Sequence, residues 1–163
     1  MRWFTPVALA VMVWGTIIDS TAIAERVAFK GTAQNKDEYI LTGEMMKPQG
    51  KGPFPAVVLL RGCPGMKDRE HDWMERLINW GFVVLQMDTF AFPGESKPHW
   101  SKRTLEEKWI KARMMEAEAG KKYLTELPFV DSKRIMVMGW SYGGISTLSS
   151  GPQRLCSSKG CHR

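Results

Sequence analysis

Residues Arg134 to Gly144 run as an apolar strand straight into a Gly-x-Ser-x-Gly corner, and few backbones accommodate such a run. The serine of that pattern, Ser141, sits on a tight turn from strand to helix, with its hydroxyl at the top of a sheet. Gly139 and Gly143 flank it because side chains there would collide where strand and helix pack closely. The backbone NH of Tyr142, in the first turn of the following helix, points at a negative charge developing on an attacked carbonyl. This is the layout of an acyl-transfer nucleophile.

The rest of the chain supplies the sheet. Val27 and Phe29 alternate with polar neighbours, and Tyr39 to Met45 forms a second short run. Both suit half-exposed antiparallel strands at a sheet margin. A turn-rich stretch from Lys47 to Pro55 leads into the apolar run Ala56 to Leu60, which reads as a strand covered on both faces. Phe82 to Met87 reads as a second buried strand and Ile135 to Met138 as a third. Between them, Asp72 to Trp80 predicts a helix with Trp73, Leu77 and Trp80 on one face and Gly81 as its stop. A longer helix is expected from Thr104, where Thr104 and Glu107 make a capping box. Its apolar stripe runs through Leu105, Trp109, Ala112, Met115, Ala119 and Tyr123 to a stop at Pro128. Strands alternating with helices predict an α/β fold, a mostly parallel sheet with helices on both faces. Sites in such sheets form at the carboxyl ends of the strands. The loops Arg61–Gly65, Asp88–Glu95 and Gly139–Gly143 all fall there.

Composition narrows the function. Hydrophobic residues at 44% and charged residues at 25% are globular values. The net charge of +6 does not form a basic stripe. Half of it sits in residues 151–163, which hold Arg154, Lys159 and Arg163 and no acid. Nucleic-acid binding needs a clustered basic face, and none is present.

The N-terminus reads as an export signal, residues 1–24. Arg2 precedes a mostly apolar stretch from Pro6 to Ile18, and Ala22 and Ala24 fit the small-x-small cleavage pattern. The apolar stretch is shorter than the ~20 residues of a membrane helix, so no membrane span is expected after cleavage. Three cysteines imply no disulfide framework. Cys156, Cys161 and His162 lack a fourth ligand and a standard zinc spacing, and read as incidental.

Read together, the three loops resemble the dienelactone hydrolase family of α/β-hydrolases. Leu59 to Gly65 looks like that family's strand followed by a His-Gly-Cys-Gly-Gly loop. Gly81 to Phe90 is similar to its next strand, which ends in Asp-Ser-Phe or similar, and Val130 to Gly144 to its approach and elbow. The resemblance covers residues 25–150 and implies a hydrolase of small esters or lactones that uses no metal or organic cofactor. Ser141 would then be the nucleophile and Tyr142 an oxyanion donor. Pro64 has no NH to give, so the second donor falls to Cys63. Arg61 stands where the family often has His, and Pro64 where it has Gly. A cysteine nucleophile is frequent in the family, and Ser141 points instead to its serine-bearing esterases and lactonases.

In that fold the acid and the base follow the nucleophile in the order Ser, Asp or Glu, His. His71 and His99 precede Ser141. His162 follows it, with no acid between. Only 22 residues lie beyond Ser141, whereas one strand–helix–strand unit takes about thirty. The expectation is therefore a partial α/β-hydrolase fold without its C-terminal strand–helix units. A frameshift or early stop near Ser150 would leave residues 151–163 as an irregular basic tail. On this reading ester turnover stays barely above background. The alternative is an inactive fragment, or a binding module that kept the elbow, with the elbow strand exposed at a sheet edge and poor solubility.

Overall fold

The computed structural model describes residues 23–32, 37–62, 68–88, 107–150, 156–157 and 160–161. Five strands form one sheet in the order β1-β2-β4-β3-β5: β1 (Ile23–Thr32), β2 (Glu38–Lys47), β3 (Phe54–Leu60), β4 (Val83–Met87) and β5 (Val130–Gly139). The pairs β3–β4 and β3–β5 are parallel. The margin pairs β1–β2 and β2–β4 are antiparallel, so the sheet is mixed, with its parallel part around β3.

The strand patterns explain these places. β2 buries Tyr39, Leu41 and Met45 on alternate positions, which suits a strand with one covered face. Val57 to Leu60 in β3 and all of β4 are buried on both faces. Ala56, Val58 and Leu60 join Val83, Leu85 and Met87 in the larger core, under α2 (Glu107–Thr125). Val57, Leu59 and Val84 face the other way and pack on Met74, Leu77 and Ile78 of α1 (Asp68–Asn79). Each such aliphatic side chain contributes about 1.5–3 kcal/mol by leaving water.

The chain passes from β3 through α1 to β4 on one side of β3. It then returns through α2 to β5 on the other side. Right-handed crossovers in opposite directions put the two helices on opposite faces. They also leave a crevice at the carboxyl end of β3, where the strand order reverses. Leu60 at that end is in register with Gly139 of β5. The short helix α3 (Tyr142–Ser150) follows directly.

Four expectations are corrected. Helix α1 starts at Asp68 rather than Asp72, and its buried face is Glu70, Met74, Leu77 and Ile78. Trp80 is 61% exposed and meets Trp73 edge-on on the helix flank, with ring centroids 6.1 Å apart. The end of α1 follows expectation: Gly81, at φ +85°, donates to the Ile78 carbonyl and Phe82 to that of Leu77. Those two bonds make a Schellman cap.

In α2 the buried stripe is Trp109, Arg113, Glu116, Ala117, Gly120 and Leu124, rotated from the expected one and carrying two charges. The proposed cap at Thr104, with Leu105, lies outside the described residues. β5 is a sheet edge among the described residues, and Met136 is 48% exposed. An unbroken apolar run suggested cover on every side. Among the described residues the strand has a neighbour on one side, β3. Near the C-terminus, Cys156–Ser157 pairs antiparallel with Gly160–Cys161.

Candidate active site

Ser141 stands between β5 and α3 with φ 53°, the only non-glycine residue at positive φ among the described residues. That left-handed conformation costs a side chain roughly 1–2 kcal/mol. It is how a strand can turn into a helix over one residue while leaving the side chain outside. Ser141 is exposed, and Tyr142 behind it is 3% exposed.

The corner is closed by backbone contacts. Gly143 NH donates to the Trp140 carbonyl at 2.9 Å, and Ile145 NH to that of Ser141 at 3.0 Å. Trp140 NH reaches the Leu60 carbonyl at 3.4 Å, tying the elbow to the end of β3. A Cβ on Gly139 would lie 2.5 Å from the Gly143 carbonyl carbon, so both flanking positions admit only hydrogen. Ser146 and Thr147 return their hydroxyls to the Tyr142 and Gly143 carbonyls at 3.0 and 2.8 Å, fastening the first turn of α3.

Tyr142 opens α3, so its NH is one of the first-turn donors for which the helix has no acceptor. The first turn of α3 therefore lies directly after Ser141. The dipole of a helix favours negative charge at its N-terminus. Of the loop after β3, the structure describes Arg61 and Gly62. Cys63, the expected second donor, lies outside the described residues, as do Pro64, His99 and His162. His71 is on the exposed side of α1. Asp88, just after β4, is held toward β2 and β1 by Thr42 Oγ1 at 3.0 Å and Arg26 Nη2 at 2.5 Å.

Two residues near the site were not read from the sequence. Arg113 and Glu116 of α2 are both fully buried. Arg113 Nη2 donates to the Arg61 carbonyl at 2.8 Å, and its guanidinium lies 5.4 Å from the Tyr142 ring centroid. The signal was present: an arginine and a glutamate three apart, on the stripe that continues through Ala117 and Gly120 to Leu124. Tyr39 belongs to the same interior. Burial, and then the Glu116 charge, push its phenol well above the ordinary value. On the opposite face Trp140 packs 6.0 Å from Trp73, and Arg69 lies over the Trp140 ring at 5.8 Å.

Among the described residues no cluster of three or more His, Cys, Asp or Glu could hold a metal ion, and no helix is long and apolar enough to cross a membrane.

Solved structures share this fold. A dienelactone hydrolase-like promiscuous phosphotriesterase from metagenomic libraries aligns at 25% identity and TM-score 0.55, over 77% of this chain and 53% of its own. The 2,6-dihydroxy-pseudo-oxynicotine hydrolase aligns at 25% identity and TM-score 0.56, over 78% of this chain and 32% of its own. A glucuronoyl esterase of Teredinibacter turnerae shares the fold at 18% identity and TM-score 0.60, over 90% of this chain and 40% of its own. The chain thus spans between about a third and a half of these structures' lengths. No curated protein matches it. The model of the dienelactone hydrolase family matches residues 41–155, which takes in β2 from Leu41 on, the β3 loop and the glycine-flanked Ser141. With more than half of its length so matched, the chain belongs to the dienelactone hydrolase family, within the α/β-hydrolases.

Proposed function

We propose that this chain carries the nucleophile half of a serine-dependent hydrolase of small carboxylic esters or lactones. The observation that carries the reading is the strained, exposed Ser141 at the head of α3, flanked by the two glycines that the corner demands. Its hydroxyl adds to the ester carbonyl, and its proton passes to a base. The carbonyl oxygen becomes an oxyanion held by the Tyr142 NH and a donor from the β3 loop, for which Cys63 is the candidate. Collapse expels the alcohol, which takes the proton, and leaves an acyl group on Ser141. Water then releases the acid by the reverse sequence. The base would be an imidazole oriented by a carboxylate, as the fold's order of residues requires.

Export through residues 1–24 remains part of the proposal. Cleavage after Ala24 would leave β1 beginning at Glu25, opposite Met45, with the rest of its ladder intact.

Rapid mixing with p-nitrophenyl acetate tests the nucleophile. The expected result is a burst of p-nitrophenol approaching one equivalent, absent in Ser141→Ala. Release of p-nitrophenol that is equal in the two proteins would show the serine to be a bystander. A second reading, a binding module that keeps the elbow without turnover, draws on β5 lying at the sheet edge with Met136 uncovered. It predicts no burst from a folded protein.

A further inference from the structure

We propose that Arg113 is a positioning residue of the oxyanion hole, holding Arg61 just after β3 and the elbow residue Tyr142 at a fixed separation. The inference rests on the assignment of Ser141 and Tyr142 above and assigns a role to a side chain that makes none of the chemistry.

The two walls of an oxyanion hole come from different parts of the chain. One is the NH after the nucleophile, the other an NH from the loop after β3. Their spacing must hold to a few tenths of an ångström, because the donors act on a charge that exists only in the transition state. In this protein one guanidinium touches Arg61, just after β3, and the side chain of Tyr142. Nη2 of Arg113 donates to the Arg61 carbonyl at 2.8 Å, and the same group lies against the Tyr142 ring, 5.4 Å from its centroid. The first contact pins the peptide that leads into the β3 loop. The second pins the side chain whose own backbone NH is the other donor.

The chemistry of arginine suits the task. Its planar, delocalised cation can stack on a ring while an edge N–H bonds a carbonyl, which lysine's compact ammonium does not match. Its burial is complete. Burying a charge is costly unless other groups compensate it. Glu116 carries the opposite charge three residues along, on the same buried stripe. The arginine also stands on a rigid support: α2 is anchored over the sheet by Ala117 and Leu124 in the main core.

The test compares the full chain with Arg113→Met, and with Arg113→Met/Glu116→Gln so that no uncompensated carboxylate is left inside. Lys122→Ala, an exposed change on the same helix, is the control. Two readouts are taken per folded molecule: hydrogen exchange by mass spectrometry, and the rate at which a fluorophosphonate labels Ser141. The expected result is faster exchange, by about tenfold or more, in the peptides covering residues 57–62 and 139–147, with 68–79 unchanged. Labelling slows by about thirtyfold or more, toward the loss that an ångström of misplacement causes. The probe's apparent binding constant stays within about twofold, since the loss is confined to the charged transition state. The proposal is overturned if exchange rises evenly across the sheet, or if labelling per folded molecule matches wild type. If wild type takes no label at all, the nucleophile assignment fails. The exchange pattern alone then decides whether Arg113 joins the two walls.

Discussion

Gly143 lies so near the end of β3 that a Cβ on it would stand 2.2 Å from the Leu60 carbonyl oxygen. No flexible side chain is involved, so neither partner can yield. The same carbonyl also accepts from the Trp140 NH at 3.4 Å. One backbone oxygen therefore fixes the angle at which α3 leaves the sheet, and with it the place of Ser141.

Gly143→Ala should thus lower stability by about 3 kcal/mol, the upper end for overpacking. Urea unfolding of wild type and variant measures it. A loss below about 1 kcal/mol would mean that the corner relaxes more easily than its contacts imply.

The strain at Ser141 predicts a trade between stability and function. Ser141→Gly removes the left-handed penalty and Ser141→Ala keeps it, while both delete the hydroxyl. The glycine variant should be the more stable of the two by about 1 kcal/mol, because that penalty exceeds glycine's extra chain entropy. Both should be inert. Equal midpoints in thermal melts would show that the φ of 53° is not a strained state in solution.

Tyr39 gives a pH signature. Burial and the Glu116 charge raise its pKa above the ordinary 10.0, so the fold favours the neutral phenol. That stabilisation is complete below the unfolded value and is lost as pH climbs from about 10 through the higher folded value. Stability should fall there by up to about 1.4 kcal/mol per pH unit from this one group. Tyr39→Phe should flatten the fall relative to wild type, as read by urea midpoints between about pH 9 and 11.5. An identical slope in the variant would remove Tyr39 from the account.

The edge strand β5 predicts self-association. Its outer side has no strand partner among the described residues, Met136 is half exposed, and Leu148 of α3 is 84% exposed. Such an edge templates aggregation, and a charge on it blocks pairing. Met136→Lys should reduce the aggregated fraction in light scattering while moving stability by no more than about 0.5 kcal/mol. Unchanged scattering would place the sticky surface elsewhere.

What could be read from the sequence follows from what each pattern reports. The apolar runs in β3 and β4 are continuous because both faces are covered, and they fell where expected. The elbow was legible because its glycines answer a contact between backbones, which no other residue satisfies. Helix faces were less so. In α1 the spacing put Trp73, Leu77 and Trp80 on one face, yet Trp80 is exposed while Met74, Leu77 and Ile78 fill the interior. In α2 the buried stripe holds Arg113 and Glu116, and an apolar periodicity cannot register charges that are buried to hold other groups. β5 looked buried because hydrophobicity reports what a strand could bury, and among the described residues it has a strand partner on one side.

The central claim is that the Gly-flanked hydroxyl of Ser141 is the group that takes an acyl or phosphonyl substituent. Intact-mass analysis after incubation with a fluorophosphonate, followed by peptide mapping, tests it most directly. The account predicts a single adduct on Ser141, lost in Ser141→Ala and lost when the protein is unfolded in urea. An adduct on another residue, or none from a folded protein, would contradict it.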